Sequence, residues 1–155
     1  MSVADYTGRQ YDVLVFRGAR PRGEVLLSQT LFDAEKYGEI CVGVQKLAQR
    51  WLVEFLTIRG SVLYAKTRGT RFMQEFYAGR FRTESDVATS FAFAEVEAGD
   101  NLRAEETDTM PDDERLDFAE LQSIAILPGL VRLSVRIVSL AGTTRNVILP
   151  LSHTV

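Results

Sequence analysis

Apolar residues recur at Ile40, Val44, Leu47, Trp51 and Phe55, spaced i, i+4, i+7, i+11 and i+15. That period belongs to an α-helix with one buried face, and no strand can present it. Cys41, Ala48 and Leu52 widen the stripe, while Lys46, Gln49, Arg50 and Glu54 take the opposite side. The pattern predicts a helix over 40–57, about 27 Å long at 1.5 Å per residue. Gly60 stops it within Leu56-Thr57-Ile58-Arg59-Gly60-Ser61. A stripe this wide has to be covered, so the remaining elements are constrained by what they must lay against it.

After the turn, Gly69-Thr70-Arg71-Phe72 opens a short helix carrying Phe72, Met73, Phe76 and Tyr77, with Thr70 as its cap and Gly79 as its end. Thr83-Glu84-Ser85-Asp86 reads as a loose capping box. A third helix follows, with Val87, Phe91, Ala94, Ala98 and Leu102 at helical spacing; Gly99 weakens it by about 1 kcal/mol relative to Ala. Beyond the acidic loop at 105–113 the period changes. Leu116 to Leu127 is extended and apolar, Pro128-Gly129 is a turn, and Val131, Leu133, Val135 and Ile137 alternate with Arg132, Ser134, Arg136 and Val138. Ala141 to Thr144 turns again, and Arg145 to Leu151 forms a last strand in which Pro150 marks an edge. Near the start, Tyr11 to Arg17 and Glu24 to Leu27 form a hairpin around a basic turn at 18–23. The expectation is a single α+β domain over 1–155: an N-terminal extended segment or hairpin (1–38), a helical part (40–105) and a C-terminal antiparallel three-stranded meander (114–155) on which the helices pack.

Composition removes several function classes. The chain has 155 residues, a net charge of −3, one cysteine and one histidine. Its negative balance disfavours the phosphate neutralisation that nucleic-acid binding needs. One Cys41 and one His153 supply too few ligands for an ordinary zinc site and no internal disulfide, so no metal and no cofactor are expected. Cys41 is expected on the apolar side of the helix as a small buried hydrophobe. Neither a signal peptide nor a membrane-length apolar run is present, which predicts synthesis in a reducing cytoplasm and no membrane partner.

Catalytic constellations are equally sparse. A Ser/His/Asp triad would depend on His153 in a terminal tail. No nucleophile elbow, P-loop or dinucleotide fingerprint occurs. Paired carboxylates for glycoside hydrolysis are the remaining option, yet Glu54 falls on the polar helix face and Glu75 between exposed positions, so both are expected as solvated acids. Asp112-Asp113-Glu114 lacks the alternation of a calcium loop and is expected to be a solvated acidic turn. The residues therefore point away from an enzyme.

The run Lys46 to Thr57, with Gly60-Ser61 and Gly69-Thr70-x-Phe72 after it, resembles the small baseplate wedge proteins of contractile-tailed phages, the W-type, lysozyme-like family of sheath initiators. In that family a helix ends in a leucine-rich "LLT-x-x-G" turn and a glycine opens the next short helix. Asp113-Glu114-Arg115-Leu116 stands where the family carries "E-P-R-[IV]", with Glu114 in place of the proline; Ser61 replaces the common "GER". The matches span about 40–151, and the N-terminal segment falls outside them.

The resemblance implies a virion protein assembled in the host cytoplasm. Its partners would be other wedge subunits, the tail tube and the sheath protein, in several copies around a ring. Leu47, Trp51 and Phe55, with Asp113, Glu114 and Arg115, would contact partner helices in a bundle. Arg145, Asn146, Val147, Ile148 and Leu149 would form an edge strand continued by the sheath. The alternatives are a tail-associated lysozyme-like peptidoglycan hydrolase and another tail-completion or adaptor protein.

Overall fold

The computed structural model describes Gln10, Asp12–Val13, Phe16–Arg17, Leu26–Leu27 and residues 40–152. The basic turn at 18–23, the stretch at 28–37 and His153 lie outside the described residues. The fold is α+β. Strands β1 (Asp12–Val13), β2 (Phe16–Arg17), β3 (Leu26–Leu27) and β4 (Ile40–Cys41) precede helices α1 (Gly43–Leu56), α2 (Phe72–Tyr77) and α3 (Glu84–Glu105). A short 3₁₀ turn at Asp112–Glu114 leads into β5 (Leu116–Leu127), β6 (Leu130–Ser139) and β7 (Thr144–Ser152), which form an antiparallel meander in the order β5-β6-β7. The N-terminal pairing expected between the two extended runs is present as Phe16↔Leu27 and Arg17↔Leu26.

Helix α1 starts later than its period suggests. Ile40 and Cys41 are drawn into a strand by Asp12 and Val13, with Val13 opposite Ile40. Val42 stays extended and Gly43 turns the chain at φ 65. Cys41 is thus buried in a strand rather than on a helix. The helix closes at Leu56 because Thr57 goes extended, so that Ile58 can bridge Thr70 in parallel. Helix α3 starts at the capping box read from sequence: Asp86 N–H donates to Thr83 Oγ1 at 3.2 Å, and Thr83 N–H to Asp86 Oδ2 at 2.9 Å.

One core fills the space between the helices and the sheet. Leu47, Trp51, Leu52 and Phe55 of α1 meet Val87, Phe91, Ala94, Ala98 and Leu102 of α3, and both sets lie over Leu133, Val135, Ile137, Val147 and Leu149. All five α3 positions picked out by period are buried. Trp51 and Phe55 stack at 4.6 Å between centroids, and Phe55 touches Phe72 at 4.7 Å. Such side chains contribute about 1.5–3 kcal/mol each on burial, so the centre of α1 is the energetic centre of the domain. The sheet's other face is largely polar, with Arg136 bridged to Glu120 across β5 and β6.

Candidate interaction surfaces

The residues expected to meet partner helices are inward. Leu47, Trp51 and Phe55 have no exposed surface at all. The chain's own α3 and sheet supply the cover that a partner was expected to give, which corrects the placing of a bundle contact on this stripe. The supposedly polar side of α1 is covered too: Gln49 is 4 % and Glu54 1 % exposed.

Glu54 is the clearest departure from the sequence reading. Its Oε2 accepts from Arg68 Nε at 2.7 Å, and its Oε1 accepts from Gly69 N–H and Asn101 Nδ2, each at 2.7 Å. This carboxylate closes the loop between α1 and α2. The loop stem is completed by Thr70 N–H to Thr57 O at 2.8 Å, Arg59 N–H to Thr70 O at 3.0 Å and Thr70 Oγ1 to Phe55 O at 2.7 Å. Thr70 therefore spends its hydroxyl on the preceding helix while also accepting Phe72 N–H at 3.3 Å. Gly69 sits at φ +86, and a Cβ there would stand 2.4 Å from Thr57 O, so only glycine fits where "GT-x-F" begins. The signature in the sequence thus encodes a closed loop whose tip exposes Leu63 and Tyr64.

Glu114 is the second buried acid, 2 % exposed, and not part of a solvated turn. Its Oε1 accepts Gly43 N–H at 3.1 Å and its Oε2 accepts Lys46 Nζ at 2.7 Å. Helix α1 has no side-chain cap and no acid in its own first turn. Glu114 supplies both from 71 positions away, placing negative charge where free N–H groups and the helix dipole favour it. Arg115 is half-buried between Glu106 (3.5 Å) and Asp112 (3.4 Å), and Asp113 is half-buried beside it. The element expected to reach a partner is thus, for Glu114, an internal clamp.

The edge residues divide by alternation. Val147 and Leu149 are buried, Arg145 and Ile148 are half-buried and Asn146 is exposed. Pro150 faces Arg132 and has no N–H to give, so it occupies a position without ladder bonds. Ile148 and Asn146, two and four residues earlier, share that phase and turn their N–H and C=O groups to the open side. The other edge of the sheet is partly occupied. Leu116 N–H bonds Glu106 at 2.7 Å, Asp117 O accepts from Arg103 at 2.8 Å, and Ala119 N–H reaches Glu95 at 3.4 Å. Among the described residues nothing bonds to the outer edge of β7.

A largely apolar groove of about 470 Å³ lies between the end of α2 and the β5–β6 hairpin, lined by Phe76, Tyr77, Phe81, Leu127 and Leu130 among others. Glu75 and Glu97 share a hollow of about 320 Å³, but Glu97 is held by Arg59 and Arg71, at 2.5 and 3.1 Å, and Arg80 lies 3.9 Å from Glu75. No cluster of metal-ligating side chains occurs among the described residues. Comparison of the chain with known protein families, curated proteins and solved structures finds no match.

Sequence reasoning missed two exposed apolar features. Val62, Leu63 and Tyr64 form the loop tip, and Phe93 and Val96 lie on the outer side of α3, 70 % and 55 % exposed. The signal for the second was present: Thr89, Phe93, Val96 and Asp100 have their own helical spacing, offset from the buried stripe.

Proposed function

We propose that this chain is a non-enzymatic structural subunit of a contractile phage tail, a baseplate wedge component that joins the inner baseplate to the sheath. The observation that carries the reading is the β7 edge of a helix-backed meander, to which nothing among the described residues bonds, together with the Leu56-Thr57-x-x-Gly60 and Gly69-Thr70-x-Phe72 run that resembles wedge proteins. Strand addition along β7 would extend the sheet into a sheath subunit, with main-chain hydrogen bonds giving affinity and the outward Ile148 giving register. The closed loop after α1 supports a construction role, because its polar residues are spent on holding backbone in place.

The test is a substitution that blocks the edge and spares the core. Ile148→Pro removes an outward N–H, as Pro150 already does, and leaves Val147 and Leu149 in place. In tails assembled with this variant, sheath attachment is expected to fail while tube assembly proceeds. Normal sheath on such tails would sink the edge-strand role. Purified protein is expected to give no clearing in a peptidoglycan zymogram; clearing that vanishes with Glu97→Gln would return the hydrolase alternative to first place.

A further inference from the structure

Helix α3 has two working faces. Its inner stripe is buried, and its outer side is exposed along the whole length: Asp86, Thr89, Phe93, Val96, Asp100 and Arg103 are all outward. These six are spaced 3-4-3-4-3, the a/d spacing of a coiled-coil seam. The apolar pair lies at the centre. Phe93 and Val96 straddle the midpoint of Glu84–Glu105, and the charged members lie toward the ends.

We propose that this face is a dimerisation seam and that its occupant is a second copy of this chain, with the two α3 helices antiparallel. In an antiparallel pair each a position meets a d position of the other helix. The layers then become Asp86 with Arg103 of the second copy, Thr89 with Asp100, and Phe93 with Val96, each occurring twice about the twofold axis. Opposite charges meet in one layer, a hydroxyl meets a carboxylate in the next, and apolar groups meet at the centre. A parallel pair would set Asp86 on Asp86, Asp100 on Asp100 and Arg103 on Arg103, so the charges select the antiparallel arrangement. The helix dipoles also oppose in that arrangement.

The charged side chains can take part. Arg103 is 45 % exposed; its Nη2 donates to Asp117 O of β5 at 2.8 Å, and its Nη1 lies 3.8 Å from Asp100 on its own helix, so it meets Asp86 of the second copy through its remaining N–H groups. Asp86 uses Oδ2 in its capping box. Hollows of about 320 and 400 Å³ border Phe93 and can receive side chains of the opposing helix. One helix pair with two central apolar layers sits below the usual ~1,200–2,000 Å² of stable interfaces, so the dimer is a weak one, with Kd on the order of 10 µM. This inference does not depend on the baseplate reading.

Sedimentation equilibrium of the full chain, up to several hundred micromolar, tests it. The wild type is expected to dimerise, and Phe93→Ser with Val96→Ser to weaken the dimer at least tenfold with an unchanged circular dichroism spectrum, since both residues are exposed. Arg103→Glu sets like charges in the outer layers and is expected to weaken it more than Arg103→Gln, which loses the bond to Asp117 O equally but adds no like charge. A short bis-maleimide applied to a mixture of Phe93→Cys and Val96→Cys chains is expected to link unlike chains more than like ones. A wild type monomeric throughout, or a dimer indifferent to the serine pair, overturns the seam. A preference for linking two Phe93→Cys chains overturns the antiparallel register.

Discussion

At the residue scale, two buried acids and one glycine carry more of the structure than their neighbours. Glu54 receives Arg68, Gly69 N–H and Asn101 while 1 % exposed. Glu54→Leu would leave Gly69 N–H without an acceptor, Asn101 with Thr67 O and Arg68 with Glu105, and breaking a buried, hydrogen-bonded pair costs about 3–5 kcal/mol. Urea denaturation is expected to show that loss; a change within experimental error would mean that the loop is closed by something else. Gly69→Ala is expected to cost more than Gly129→Ala, because both have positive φ but only Gly69 has backbone, at 2.4 Å, where the methyl would go. Equal urea midpoints for the two variants would refute the steric argument. Asp86 provides a pH signature. Its carboxyl is held below its ordinary value, chiefly by the hydrogen bond with the Thr83 side chain and then by that with the Thr83 backbone. A group depressed in the folded state stabilises above its unfolded pKa, and that contribution fades as pH falls through the folded value. The stability gap between wild type and Asp86→Ala is therefore expected to be widest at neutral pH and to close in strong acid. A gap that widens on acidification would reverse the assignment.

At the element scale, α1 depends on a cap from outside itself. With no acid in its first turn, its N-terminal end relies on Glu114, which accepts the buried Gly43 N–H. Glu114→Gln is expected to speed amide hydrogen exchange in the first turn, around Val44 to Leu47, much more than near Leu52 to Phe55. Uniform acceleration along the helix would show that Glu114 acts on global stability instead. In the meander, side chains of α3 and its C-cap hold part of the β5 edge, whereas among the described residues only Pro150 limits pairing on β7. This asymmetry is why the edge role is assigned to β7.

At the scale of the molecule, helices and sheet share one core. Trp51 sits within it, 6.2 Å from Phe91 of α3 and fully buried. Its emission is therefore expected to report unfolding of the sheet as faithfully as that of the helices. Urea transitions followed by Trp51 fluorescence and by far-ultraviolet circular dichroism are expected to coincide. Separate transitions would mean that the helical part and the meander are independent folding units.

Local pattern by itself determined most elements of this protein: the α1 and α3 stripes, the capping box at Thr83, the strand alternation and the Pro150 edge follow from it, whereas the start of α1 does not, because Ile40 and Cys41 are taken into a strand by Asp12 and Val13. Tertiary structure decided which faces are free. A stripe on α1 has the same period whether a partner or the chain's own sheet covers it, so Leu47, Trp51 and Phe55 could not be assigned from spacing. Glu54 and Glu114 likewise read as solvated acids, since their donors arrive from 14 to 71 positions away. Burial is set by what the chain brings back over a residue, and that information lies in long-range contacts which no local pattern contains.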